Sequence, residues 1–231
     1  MILAAGLGTR LRPLTDKTPK PLLPVNGLPL ILHQIRYLKR FGISTILINL
    51  HHLGSMIKKA LGDGSQEGVK ISYSDEKSIL GTGGGIKKAE IFFGSQPFIV
   101  INSDNLIDCN LNDLIAFHKT KGGIATMVLR LKGPTSQESS VTVDQNLRIV
   151  TIKKNDQTSN KNATETMMYT GLQIVSPSLL RYIPAGRSAC LIEDGYQPAL
   201  KAGEKIYGFP HHGYWCDLGT IERYREAQAT P

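Results

Sequence analysis

Over residues 1–131, short β-type apolar runs take turns with stretches whose apolar residues recur at helical spacing. Met1–Ala5 is an apolar run that ends at a glycine. Leu30–Phe41 carries Leu30, Ile31, Ile35, Leu38 and Phe41 on one helical face and stops at Gly42. Thr45–Leu50 is a β-branched run, and Gly54–Leu61 is helical in pattern and ends in the turn Gly62-Asp63-Gly64-Ser65. Val69–Ser74 alternates as a strand does. Gly85–Phe93 reads as a helix, Phe98–Ile101 as a buried strand, Leu111–Lys121 as a helix and Ala125–Leu131 as a strand. A chain that alternates this way buries its strands between two layers of helices, in a parallel sheet with right-handed crossovers. The expected class is α/β, with three layers in the order α/β/α.

Beyond about Gly133 the rhythm breaks. Val141–Val143 and Leu147–Ile152 read as a hairpin around Gln145-Asn146, and Asn155–Thr166 as a polar loop. Met167–Val175 reads as a strand, Pro177 as the start of a short helix and Leu191–Ala202 as a helix. Lys205–Phe209 reads as a strand and Thr220–Ala229 as a terminal helix. This part is expected to insert antiparallel strands into the same sheet, leaving it mixed but mainly parallel. No linker rich in Gly, Pro or Ser divides the chain, so residues 1–231 are expected to form one domain. Met1 stands almost on the first strand, which leaves room for residues upstream in the natural protein.

Composition narrows the functional classes. The 231 residues are 41% hydrophobic and 20% charged, enough apolar material for a core and against disorder. No run reaches about 18 apolar residues, and MILAAGLGTR is too short and glycine-rich for a secretory leader, so no membrane association is expected. Cys109, Cys190 and Cys216 lie far apart with no C-x-x-C, which points to a reducing, cytoplasmic setting. Lys and Arg number 27 against 19 Asp and Glu, a net charge of +8, but they occur singly or in pairs. Aromatics are 6% and do not interleave with basic runs. That footprint disfavours nucleic acid and favours small phosphorylated ligands.

Four motifs carry chemistry. The first runs from Leu3, Ala5 and Gly6 through Gly8, Thr9 and Arg10 to Pro13, Thr15, Pro19, Lys20 and Pro21. A strand that enters a glycine loop lets backbone N–H groups approach phosphate oxygens, with Arg10 as a fork of donors and Lys20 as a point charge. It is neither Walker A nor the dinucleotide fingerprint. The second is Asn102-Ser103-Asp104, a carboxylate just past an apolar strand, where open α/β sheets bind ligands. The third is Gly213-Tyr214-Trp215-Cys216-Asp217-Leu218-Gly219-Thr220, in which Trp215 reads as core packing. The fourth, Leu80-Gly81-Thr82-Gly83-Gly84-Gly85-Ile86, reads as a glycine loop against which a base and its ribose lie. The adjacent histidine pairs, His51-His52 and His211-His212, lack the spacing of metal ligands.

The string from Gly6 to Pro21 resembles the signature of the sugar-1-phosphate nucleotidylyltransferases. Gly213–Thr220 resembles the same family's segment around its second metal-binding aspartate. Asn102-Ser103-Asp104 resembles its Asn-Gly-Asp, with Ser103 in place of the commoner glycine. The glycine run from Gly81 to Gly85 is most like the short N-acetylmuramate-1-phosphate uridylyltransferases and mannose- or heptose-1-phosphate guanylyltransferases. The resemblance implies a Rossmann-like fold, with residues 1–132 holding the nucleotide and 133–231 the sugar phosphate. It implies that NTP, with UTP or GTP favoured, and a sugar 1-phosphate give NDP-sugar and pyrophosphate with Mg²⁺.

The implied catalytic residues are Arg10 and Lys20, and the implied metal ligands are Asp104 and Asp217. Leu3, Ala5, Gly6, Gly8, Thr9, Gly81, Thr82, Gly83 and Asn102 would bind nucleotide. Gly84, Tyr169, Thr170, Gly171 and Lys154 would line the sugar site. A cytidylyltransferase acting on another phosphorylated acceptor, and a catalytically silent nucleotide-sugar-binding subunit, stay as alternatives. The length leaves no room for an appended acyltransferase β-helix, and the pattern leaves monomer and homo-oligomer open.

Overall fold

The computed structural model describes residues 1–132, 139–153 and 166–229. The first half contains β1 (Ile2–Leu3), the hairpin β2 (Pro24–Val25) and β3 (Leu28–Pro29), α1 (Leu30–Arg40), β4 (Thr45–Leu50) and α2 (Gly54–Leu61). It continues with β5 (Lys70–Asp75), α3 (Gly81–Lys88), α4 (Glu90–Phe93), β6 (Phe98–Asn102), β7 (Asn105–Ile107), α5 (Leu111–Lys121) and β8 (Ala125–Leu131). The second half adds β9 (Ser140–Val143), β10 (Ile149–Lys153), β11 (Thr166–Val175), α6 (Gln197–Lys201), β12 (Ile206–Pro210), β13 (Trp215–Asp217) and α7 (Ile221–Ala229). A 3₁₀ segment, Pro177–Tyr182, and a π-helical turn, Leu191–Tyr196, lie between β11 and α6.

The central sheet runs β10-β9-β11-β6-β1-β4-β5, with β8 on the other edge of β11 and β12 beside β8. Strands β6, β1, β4 and β5 are mutually parallel. The expected antiparallel insertion is β11, which pairs antiparallel with β6, β8 and β9, together with the β9–β10 hairpin. The sheet is therefore mixed and mainly parallel around β1.

Successive side chains of a strand point to opposite faces, and both faces are covered. Ile46, Ile48 and Leu50 of β4 pack with Ile31, Ile35 and Leu38 of α1, Ile57 of α2 and Leu114 of α5. Leu47, from the same strand, joins Ile86 of α3, Leu179, Leu180, Leu191 and Tyr196 on the opposite face. A third cluster, Leu11, Leu23, Val25, Leu30, Leu218, Tyr224 and Ala227, packs α7 onto the β2–β3 hairpin. The Tyr224 hydroxyl donates to the Pro24 carbonyl at 2.6 Å and closes that contact. No described helix is long and apolar enough to cross a membrane.

Two expectations change. Leu80–Ile86 is no loop: α3 begins at Gly81, and the expected helix Gly85–Phe93 is split into α3 and α4 around Ala89. The expected helix Leu191–Ala202 opens as a π-helical turn before α6. The polar loop expected over residues 155–166 lies, except for Thr166 at the start of β11, outside the described residues.

His118 of α5 is 6% exposed, with Nδ1 2.9 Å from the Thr126 hydroxyl. Burial pushes its imidazole below the ordinary value of 6.5. The unfolded chain therefore takes up a proton that the folded chain refuses. Stability from the neutral ring is whole above that ordinary value and drains as pH falls from it to the lowered one. His118→Gln is expected to flatten the fall in Tm between about pH 7 and about pH 5. Parallel melting curves for the two proteins across that window would contradict this.

Candidate active site

The carboxyl ends of β1, β4, β5 and β6 open onto one cavity of about 280 Å³. Leu3, Ala4, Ala5, Gly6, Gly8, Arg10, Lys20 and Pro21 form one side. Asn49, Glu76, Ile79, Gly81, Thr82, Asn102, Ser103 and Asp104 form the rest. In an open α/β sheet, connections that leave neighbouring strands toward opposite faces open a crevice at this edge, where ligands bind.

The glycine loop has its own supports. Gly8 has φ +65°, and a Cβ there would lie 2.8 Å from Cγ2 of Thr15. Thr15 is 1% exposed and its hydroxyl donates to the Gly8 carbonyl at 2.8 Å. Gly8 and Thr15 thus fit each other, and Leu11, fully buried, pins the turn that carries Arg10. Lys20 starts the 3₁₀ turn Lys20–Leu22 and sends its ammonium onto the Asp104 carboxylate, with both side chains largely shielded from water.

Asp217 reaches the site by a short ribbon. β13 pairs antiparallel with β7, placing Asp217 opposite Asn105, and the Leu218 N–H donates to the Asp104 carbonyl at 3.0 Å. Burial and then the Asp104 charge raise the Asp217 carboxyl above the usual range, while Lys20, Arg223 and Arg10 pull it back. Arg223 of α7 meets Asp217 at 2.9 Å. The Arg10 guanidinium lies over Gly219, where a Cβ would be 2.8 Å from Nη2. The result is two neighbouring carboxylates threaded between three cations.

The Tyr169-Thr170-Gly171 segment sits beside this site on β11. Gly171 has φ +88°, and a Cβ there would collide with the amides of Asn102 and Asn105. The Thr170 carbonyl accepts from both Asn105 Nδ2 and Trp215 Nε1. Trp215 is therefore more than core packing: its indole N–H ties the third motif to β11, and the Arg130 guanidinium lies 5.6 Å from its ring.

Of the residues named from sequence, Leu3, Ala5, Gly6, Gly8, Arg10, Lys20, Gly81, Thr82, Asn102 and Asp104 line the cavity. Thr9 stands in the 3₁₀ turn without lining it. Lys154 lies outside the described residues. Gly83 and Gly84 are buried, and both N–H groups donate to the Ala189 carbonyl, at 2.9 and 3.2 Å. Their glycine identity serves close packing: a Cβ on Gly83 would lie 3.0 Å from the Leu191 nitrogen, and one on Gly84 2.9 Å from the Arg187 carbonyl. Packing against residues 187–191 is thus reason enough for glycine at these two positions.

The His51-His52 pair holds backbone. His51 Nδ1 lies 2.8 Å from the Glu76 carbonyl, and His52 Nε2 lies 3.1 Å from the Thr15 carbonyl. Sequence reasoning missed Asn49, Glu76 and Arg223 as site residues. The first two stand at the ends of recognised strands, which is the signal that could have found them.

The nucleotidyl transferase family profile matches residues 1–230. An N-acetylmuramate alpha-1-phosphate uridylyltransferase of Neisseria meningitidis serogroup B is 39% identical, covering 99% of this chain and 96% of that protein. A UTP–glucose-1-phosphate uridylyltransferase of Synechocystis is 33% identical, covering 98% of this chain and 61% of that protein. The chain also spans about six tenths of the length of the mannose-1-phosphate guanylyltransferases it matches. A Bacillus anthracis protein assigned as a glucose-1-phosphate thymidylyltransferase, solved with sucrose, superposes with a TM-score of 0.85 at 27% identity. The match covers 99% of this chain and 92% of that one.

Gly84→Ala sets two effects against each other. Alanine favours the helix by about 1 kcal/mol. Forcing a methyl against the Arg187 and Ala189 backbone costs about 1–3 kcal/mol. The expected outcome is a lower Tm, and a Tm at or above that of the parent would show that residues 187–191 yield freely.

Proposed function

The chain belongs to the nucleotidyl transferase family, and we propose that it transfers a nucleotidyl group from an NTP to a sugar 1-phosphate. An oxygen of the sugar phosphate attacks the α-phosphorus, the bond from that phosphorus to the α–β bridging oxygen breaks, and pyrophosphate leaves. A phosphate is already ionised at neutral pH, so the step needs no general base and no covalent enzyme intermediate. What it needs is alignment and neutralisation of charge. In this reading the loop from Ala5 to Gly8 presents backbone to the triphosphate. Arg10 holds the triphosphate, and Lys20 moves between Asp104 and the reacting phosphates. The observation that carries the reading is the meeting of Arg10, Lys20, Asp104 and Asp217 beside a glycine loop at the carboxyl edge of the sheet.

The donor set suits a divalent cation. Asp104 and Asp217 offer hard oxygens, and no third His, Cys, Asp or Glu joins them among the described residues. Mg²⁺ uses few protein carboxylates and takes its other ligands from phosphate and water. Burial and the neighbouring Asp104 charge raise the Asp217 carboxyl, a repulsion that a divalent cation would offset. Asp104 and Asp217 would hold the ion. When bound, it supplies neutralisation of the triphosphate oxygens.

Residues 1–132 would hold the nucleotide and 133–231 the sugar phosphate, with Thr170 and Gly171 at the junction. UTP with N-acetylmuramate 1-phosphate is the leading pair, supported by the Neisseria relative that this chain matches over nearly its whole length. GTP with mannose or heptose 1-phosphate is the second. The cytoplasm is the expected compartment for both.

Pyrophosphate release with Mg²⁺, measured for four NTPs against a panel of sugar 1-phosphates, is expected to single out one pair. No release by the folded protein with any pair would overturn the assignment. Asp104→Ala and Asp217→Ala are each expected to lower kcat by about a hundredfold or more. Turnover near the parent level in either variant would remove that carboxylate from the metal site.

A further inference from the structure

β1 ends after Leu3, opposite Asn49 of β4. The next N–H, that of Ala4, pairs with no strand. It donates to the side chain of Asn49 instead, at 2.9 Å to Oδ1. The Asn49 amide then donates through Nδ2 to Glu76 Oε1 at 2.7 Å. The other carboxylate oxygen, Glu76 Oε2, accepts the Leu80 N–H at 2.9 Å, one residue before α3. Asn49 is 3% exposed and Glu76 5% exposed, and both line the cavity.

The amide of Asn49 has only one workable orientation here, because the Ala4 N–H is a donor and the Glu76 carboxylate an acceptor. Room for the path comes from Gly85, where a Cβ would lie 2.7 Å from Glu76 Oε1 and 2.8 Å from Asn49 Nδ2. The backbone of Glu76 is held as well. Its N–H donates to the Leu50 carbonyl at 2.7 Å, and its own carbonyl faces His51 Nδ1 at 2.8 Å. Glu76 has no ion-pair partner among the described residues.

We propose that Asn49 and Glu76 are positioning residues that tie the glycine loop to the start of α3, fixing the width of the cleft for nucleotide. The proposal rests on the reaction proposed above and adds the means by which its two walls keep register. Three hydrogen bonds run from Ala4, where the chain leaves the sheet toward Gly6 and Gly8, to Leu80, which leads into Gly81 and Thr82. A buried carboxylate bonded only to neutral donors is a poor choice for packing alone, since apolar residues of similar volume fill a core without desolvating a charge.

The donor–acceptor order gives a decisive test. In Glu76→Gln the side chain has one acceptor for two donors, so either Asn49 Nδ2 or the Leu80 N–H faces another N–H. In Asn49→Asp a second carboxylate faces Glu76. In the double variant the order closes again. The carboxylate then at position 49 accepts from the Ala4 N–H and from the side-chain amide at position 76, whose carbonyl oxygen accepts from the Leu80 N–H. UTP and GTP binding with Mg²⁺, without sugar phosphate, is expected to weaken about tenfold in each single variant for whichever nucleotide the parent binds. It is expected to return to within about threefold of the parent in the double variant. The KM for sugar 1-phosphate is expected to stay within about twofold throughout, while the Ala4 and Leu80 amides lose exchange protection in the single variants and regain it in the double.

Folded single variants with parental nucleotide affinity would overturn the proposal. So would a double variant no tighter than the weaker single, or one that does not fold. If a single variant does not fold, the double alone decides. A parent chain that binds neither nucleotide would count against the proposed reaction, and exchange at Ala4 and Leu80 would still decide whether the relay exists.

Discussion

Asp104 and Asp217 lie close enough for the charge of one to raise the carboxyl of the other, in a place where burial works in the same direction. Such a pair is tenable only with cations held beside it. Each cation comes from a different part of the chain. Arg10 arrives from the 3₁₀ turn that follows Gly8, Lys20 from the 3₁₀ turn Lys20–Leu22, and Arg223 from α7. The third core cluster then makes sense as a device for charge placement. It packs α7 on the β2–β3 hairpin and buries Leu11 and Leu23, fixing the stems of the segments that carry these groups.

Close approach of backbone explains more of the glycines than loop flexibility does. Gly8 makes room for Thr15, Gly171 for the amides of Asn102 and Asn105, and Gly219 for the Arg10 guanidinium. Gly83 and Gly84 let residues 187–191 press on α3, and the Ala189 carbonyl takes two of the N–H groups that a helix start leaves without partners. Glycine is a poor helix former, and α3 persists because its first turn is satisfied from outside the helix.

That same packing accounts for where sequence reasoning succeeded and where it stopped. α1, α2, α5, β4, β5, β6, β8 and β11 were legible because each is a run with a clear period that one face or both must bury. The β7–β13 ribbon has three residues on each strand, too few for any period to show. β2 and β3 are shorter still, although Asn26-Gly27 at φ 49° and 75° is a hairpin signal that the dipeptide itself announces. α3 was misread because local propensity pointed to a loop, and the deciding contacts come from about a hundred residues further along the chain. In the site, Arg10, Lys20 and Asp104 were legible as motif residues. The adjacency of Asp104 and Asp217 was not, because it depends on the register of β13 against β7.

The two halves of the sheet divide the labour by strand direction. Parallel strands β1, β4, β5 and β6 end together and form the cavity with the glycine loop. β11 runs the other way, so it meets this edge with its middle, where its register against β8 shifts between Tyr169 and Gln173. That irregularity frees the Thr170 carbonyl from the ladder to accept Asn105 and Trp215 together. One carbonyl thereby joins the residue next to Asp104, the residue two before Asp217 and the strand proposed to face the sugar. A shift of β11 by one residue would move its side chains to the opposite face and separate these groups. The bulge thus sets the position of β11 against the carboxylate pair.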